Sequence, residues 1–147
     1  MPEFSIESNG RIEKTAVYYN GDQLRGVREI MLNLDENGTF DAVVQYQGTD
    51  EQLYTKQIFV DLLDNVQTME PTFTEEEAAQ LRLITIRSDG DINNTFVYIN
   101  DEEQGGIVSL FLHMKAPAQT SQGSRPEFKA EITYRNDDDS LSTEGVF

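Results

Sequence analysis

Apolar and polar positions alternate along most of the chain with the period of two expected of β-strands that bury one face. Ile30, Leu32 and Leu34 interleave with Met31 and Asn33, and Phe40, Ala42, Val44 and Tyr46 interleave with Asp41, Val43 and Gln45. Further on, Phe128, Ala130, Ile132 and Tyr134 face one way while Lys129, Glu131 and Thr133 face the other, as a half-buried antiparallel strand requires. Turn chemistry punctuates these runs: Asn9-Gly10, Asn37-Gly38 and Asp89-Gly90 tolerate the left-handed backbone of tight hairpins. The pattern predicts strands over 3–8, 15–20, 27–35 and 39–46, and again over 83–88, 95–100, 107–115 and 127–135.

The second set restates the first. A shift of 80 residues sets Ile6 on Ile86, Ser8 on Ser88, Gly10 on Gly90, Thr15 on Thr95, Val17 on Val97, Tyr18 on Tyr98, Gly26 on Gly106 and Leu32 on Leu112. After an eight-residue insertion the offset becomes 88, and Phe40–Tyr46 meets Phe128–Tyr134. The chain reads as an internal duplication, with a first β repeat over 1–46 and a second over 83–135. The expected fold is mainly β: two related four-stranded antiparallel units, packed as a sandwich or as one composite domain.

Residues 47–82 form a connector of different character. Thr74-Glu75-Glu76-Glu77 has the form of a capping box, and Ala78, Ala79, Leu81 and Arg82 complete a short helix whose charges suit its dipole. Over 50–66 the i, i+4 spacings of Leu53, Ile58, Phe59, Leu62, Leu63 and Val66 favour a helix, although Ile58-Phe59-Val60 could equally form a strand. The insertion Ala116–Arg125, rich in Pro, Gln, Ser and Gly, reads as an exposed hairpin loop. The tail over 136–147 has too little apolar content to offset its ordering entropy and reads as acidic and mobile, with Val146-Phe147 as its only docking residues.

Length and composition add a class. A chain of 147 residues buries roughly 68–70% of its unfolded surface, enough for a core without staples. Its 8 Phe and 6 Tyr set it apart from disordered chains despite a hydrophobic share of 37%. No cysteine is present, which removes disulfides, thiolate nucleophiles and cysteine-based metal sites. No basic leader with an apolar run follows Met1, and no stretch approaches the ~20 apolar residues of a membrane span, so a cytoplasmic protein that leaves membranes alone is expected.

Charge narrows the partners. Against 11 Lys and Arg stand 27 Asp and Glu, a net charge of -16. By segment it runs -4 over 1–46, -6 over 47–82, -2 over 83–135 and -4 over 136–147, so acid gathers in connector and tail. Such a surface repels phosphate backbones, which argues against direct nucleic-acid binding, and favours a basic protein partner.

Catalytic constellations are not signposted. His113 is the single histidine and stands where the first repeat has Asn33, on the face opposite Leu112, so neither a Ser-His-Asp triad nor a conventional zinc site assembles around it. The acidic runs at Asp35–Asp41 and Asp89–Asn93 resemble calcium loops, yet the sixth and twelfth positions from Asp35 are Phe40 and Tyr46 where an EF-hand needs Gly and Glu. Hairpin turns account for both. Gly105-Gly106 lacks the Lys-Ser/Thr of a phosphate loop. No cofactor or metal is implied, and the chain is read as a non-enzyme.

Two functional readings survive. In one, Glu75, Glu76, Glu77, Asp137, Asp138 and Asp139 complement a basic surface or imitate a nucleic-acid backbone. In the other, Tyr18 and Tyr98 with Arg11, Arg25, Arg87 or Arg125 bind a small molecule such as a nucleotide by stacking and charge. Unsatisfied sheet edges also make a homo-oligomer plausible.

The phrase Phe4-Ser-Ile-Glu-Ser-Asn-Gly10, followed by Thr15-Ala-Val-Tyr18 and Gly21-x4-Gly26-Val27, resembles short β-rich accessory proteins of bacteriophages and prophages. The resemblance covers about thirty residues of the first repeat and more loosely the second, where Asp101 replaces Gly21. It implies an accessory protein of a mobile element, such as an inhibitor of a host defence factor or a structural phage component, and it transfers no site residues.

Overall fold

Where polar turns separate alternating runs, the chain forms strands. A computed structural model describes residues 1–116 and 127–147. The strands are β1 (Glu3–Ser8), β2 (Thr15–Tyr19), β3 (Asp22–Arg25), β4 (Val27–Asp35), β5 (Phe40–Gln47), β6 (Leu53–Gln57), β7 (Gln67–Met69), β8 (Arg82–Arg87), β9 (Phe96–Ile99), β10 (Glu102–Glu103), β11 (Ile107–Lys115), β12 (Glu127–Arg135) and β13 (Leu141–Gly145). Helix α1 (Glu75–Ala78) lies between β7 and β8, and 3-10 turns occupy Ile12–Lys14 and Ile92–Asn94. The expected Thr74 capping box is present, with the Thr74 hydroxyl accepting from the Glu77 amide and the Glu77 carboxylate accepting from the Thr74 amide.

Two open antiparallel sheets result. One runs β10-β9-β8-β1-β2-β3-β7 and the other β13-β12-β11-β4-β5-β6. Each half of the chain therefore supplies three consecutive strands to each sheet, six in all where alternation alone predicts four, and β7 from the connector adds a thirteenth strand at the edge of β3. The halves meet at β1–β8 in one sheet and β4–β11 in the other, and the register there is self-reciprocal. Ser5 stands opposite Thr85, its counterpart at the offset of 80, and Leu32 opposite Leu112, likewise. The pairing is thus reciprocal about both pairs. The inner faces of both sheets share one core, in which Phe4, Ile6, Ile84 and Ile86 join Ile30, Leu32, Leu110 and Leu112. Complete burial of each such side chain contributes about 1.5–3 kcal/mol.

Equivalent positions use the same local devices. The Ser8 and Thr15 hydroxyls lie 2.7 Å apart and those of Ser88 and Thr95 2.8 Å apart. Gly10 and Gly90 donate their amides to those serines from backbones at φ +95° and +99°, a region that favours glycine. A bulge interrupts β4 between Val27 and Glu29 and β11 between Ile107 and Ser109. The correspondence runs further than the alternation reveals. At the offset of 88, β6 answers β13, Glu51 and Asp139 share a positive φ of 65° and 67°, and Ile58 and Val146 donate to Ala42 and Ala130 at 2.8 and 3.0 Å. Phe59 packs edge-on against Phe40 as Phe147 does against Phe128.

Two expectations are corrected by this. The tail over 136–147, expected to be mobile, carries a strand: β13 pairs with β12 and Val146 is fully buried, because the edge of β12 supplies hydrogen bonds and the core a slot that composition does not register. Residues 53–57 form a strand rather than a helix, since β5 offers them an unpaired edge. The loop expected over Ala116–Arg125 lies, from residue 117 onward, outside the described residues. No described helix is long and apolar enough to cross a membrane.

Candidate functional site

Two grooves lie at places related by the offset of 80, and they differ. In the second half a groove of about 320 Å³ opens between β9–β10 and the facing ends of β4 and β11. Leu34, Val97 and Leu110, all buried, lie at its base, Ile92, Phe96 and Ile107 flank it, and Asp35, Glu36 and Glu103 form its rim. Its counterpart in the first half, lined by Ile12, Ala16, Val17, Gln23, Leu24, Val27 and Met114 among others, measures only about 150 Å³.

Three differences account for this. Leu24, buried in the first half, is replaced by Gln104, which is half-buried and accepts from the Tyr134 hydroxyl at 3.2 Å. Ala16, 2% exposed, is replaced by Phe96 at 40%. Strand β7 lies against the edge of β3, whereas the equivalent strand β10 is the outermost of its sheet. The β7 strap also buries Gln23, whose amide donates to the Thr72 hydroxyl at 2.8 Å and accepts from the Thr72 amide at 2.9 Å.

Charge separates the two grooves. The larger is lined by Asp35, Glu36 and Glu103, whose equivalents at the offset of 80 are Lys115, Ala116 and Gln23, and among the described residues no charged one lines the smaller. Glu36 is ion-paired with Arg135. The Asp35 carboxylate accepts the amides of Asn37 and Thr39 at 2.9 and 3.1 Å, and hydrogen bonds from Thr39 foremost hold its pKa below the ordinary value. Asp91 accepts from the Asn93 amide at 2.9 Å and caps the 3-10 turn beneath Phe96. These acids build the turns that frame the groove, while the exposed Glu103 stands on the open edge.

The acidic residues singled out in the sequence are not brought together. Glu75, Glu76 and Glu77 lie on α1, with no residue of that helix buried, and do not line the groove. Asp137, Asp138 and Asp139 form the β12–β13 turn that follows Arg135, and Asp138 accepts from the Ser140 hydroxyl and, at 3.0 Å, from the Ser140 amide, bonds that lower its pKa, the hydroxyl foremost. Sequence reasoning passed over Glu103 and Phe96. Their signal was the departure of the second repeat from the first at these positions, Gln to Glu and Ala to Phe.

Among the alternative ligand residues, Tyr18 and Tyr98 do share a face. A single row across the outer face of the seven-stranded sheet reads Glu103, Tyr98, Thr85, Ser5, Tyr18, Gln23. Three strand spacings place the tyrosines roughly 14 Å apart at the backbone. Tyr18 donates to Glu7 at 3.1 Å, and burial with that carboxylate pushes its phenol up to about 12. The arginines do not converge: Arg87 pairs with Glu3 at 3.8 Å, Arg11 lies 3.9 Å from Glu13, Arg25 sits opposite Gln67, and Arg125 is outside the described residues. His113 holds Glu29 at 2.8 Å on the outer face of the other sheet. Among the described residues no group of three or more His, Cys, Asp or Glu could hold a metal ion.

No protein-family model, no curated protein and no solved structure matches the chain.

Proposed function

We propose that this protein is a non-enzymatic binding protein that holds a basic segment of a protein partner in the acidic groove of its second half. One observation carries the reading: at places related by the offset of 80, the groove without a covering strand is the larger one, flanked by the exposed Phe96 and rimmed by carboxylates. Apolar surface at the centre with charge at the edge is the anatomy of a protein-recognition site, and the overall charge of -16 accelerates encounter with a cation. If the chain serves a phage, as its resemblance implies, the partner would be a host factor.

Titration with a lysine-rich polypeptide at low and moderate salt tests this. Binding is expected to weaken steeply with salt and to fall at least tenfold when Glu36→Gln and Glu103→Gln are combined, with little change for Glu75→Gln, Glu76→Gln and Glu77→Gln together. Equal losses from the two sets would remove the groove from the account.

The tyrosine row supports a second reading, in which a planar ligand such as a nucleotide lies over Ser5 and Thr85 between Tyr18 and Tyr98. Nucleotides would then raise the melting temperature, and Tyr18→Ala and Tyr98→Ala would each abolish the shift.

A further inference from the structure

We infer that the outer edge of β10 accepts an extended, basic segment of a protein partner as an added strand, in the register that β7 takes on β3. The inference rests on the groove reading above and specifies how that groove is filled.

The first half supplies the template. There β7 pairs antiparallel with β3, setting Gln23 opposite Met69, Leu24 opposite Thr68 and Arg25 opposite Gln67. The equivalents of those three β3 residues are Glu103, Gln104 and Gly105. The Gln104 amide donates inward to Val97 at 2.8 Å, so by alternation the backbone groups of Glu103 and Gly105 point outward. Among the described residues no strand pairs with that side. An edge of this kind is a template for strand addition, in which main-chain bonds give affinity and side-chain sites give selectivity.

Charge chooses the occupant. On β3 the position facing the added strand is Gln23, which accommodates Met69 and the neutral Thr72. On β10 it is Glu103, with Asp35 across the groove. A strand carrying Lys or Arg opposite Glu103, with an apolar neighbour to cover Phe96, fits this edge, and the native β7 segment, which bears Glu70 beside Met69, does not.

The probe is a synthetic nine-residue peptide copying residues 65–73 with Met69→Lys and Glu70→Lys, compared with the unmodified copy. We expect the lysine peptide to bind the full chain, to slow hydrogen exchange at the Glu103 and Gly105 amides, and to bind at least tenfold tighter than the unmodified copy. Glu103→Lys in the protein should reverse that preference. If a lysine-rich polypeptide binds while the peptide neither binds nor protects those amides, strand addition is overturned and the groove reading stands. If neither binds, both fall. If those amides become protected with rising protein concentration and no peptide, a second copy is the occupant and the inference of a foreign segment is overturned.

Discussion

Ser5 and Thr85 stand opposite each other at the centre of the seven-stranded sheet, with their hydroxyls 2.9 Å apart and both residues buried. Each is the other's counterpart at the offset of 80, and the pair joins the two halves of the chain. Thr85→Val leaves the Ser5 hydroxyl buried without its partner and should cost about 1–3 kcal/mol. Adding Ser5→Ala removes that orphan, so urea unfolding of the double variant should show a loss smaller than the two single losses combined. Strict additivity would mean the hydroxyls are solvated.

Leu32 and Leu112 form the corresponding pair in the other sheet, and neither has any exposed surface. Leu32→Ala and Leu112→Ala should each destabilise by about 2–5 kcal/mol, since each opens a cavity in a core that both halves share. Because the two face each other, the double variant should depart from additivity. Independent effects in chemical denaturation would show two separate cores.

Val146 is fully buried and Phe147 meets the Phe128 ring at a centroid distance of 5.5 Å. Truncation after Gly145 removes about 1.5–3 kcal/mol of burial for the valine and about 0.5–1.5 kcal/mol for the aromatic pair. The melting temperature should fall by several degrees. An unchanged value would restore the mobile tail.

Tyr46 donates to the Asp64 carbonyl at 2.7 Å, and burial, helped by Asp64, Tyr54 and Asp50, pushes its phenol up to about 12 from an ordinary 10.0. A group whose folded pKa is raised stabilises the fold fully below its unfolded pKa and stops doing so as pH rises through the folded value. Stability should therefore hold to about pH 10 and decline towards about pH 12. Tyr46→Phe should cost about 0.5–1.5 kcal/mol at neutral pH and flatten the alkaline decline. Of the six tyrosines, Tyr18 and Tyr46 should be among the last to ionise in an ultraviolet titration. Early ionisation of all six in the native protein would contradict both environments.

Much of the β architecture was legible because it is written locally. A period of two, broken by Asn-Gly and Asp-Gly, needs only neighbouring residues to be read, and the repeat at 80 doubled the signal. The strands at 53–57 and 141–145 were not legible, because neither has an apolar alternation of its own. Leu53-Tyr-Thr-Lys-Gln57 and Leu141-Ser-Thr-Glu-Gly145 are strands because a neighbour presents an edge, and that edge lies several residues away in sequence and one strand away in space. The candidate site was hidden for a similar reason. Acidic runs such as Glu75–Glu77 drew notice by density, whereas Glu103 matters through position.

By itself the sequence determined which residues form β1, β2, β4 and β5 and their counterparts β8, β9, β11 and β12, where the tight turns fall, which face of each strand is apolar, and that the surface is strongly acidic. These follow from steric preferences and from the need of each strand to bury one face. Only the tertiary structure decided that the halves interleave across two sheets, that the tail docks, and that β3 is covered while β10 is not. Strand pairing between distant segments depends on which edges remain unsatisfied once the core has closed, and no local pattern of hydrophobicity encodes that.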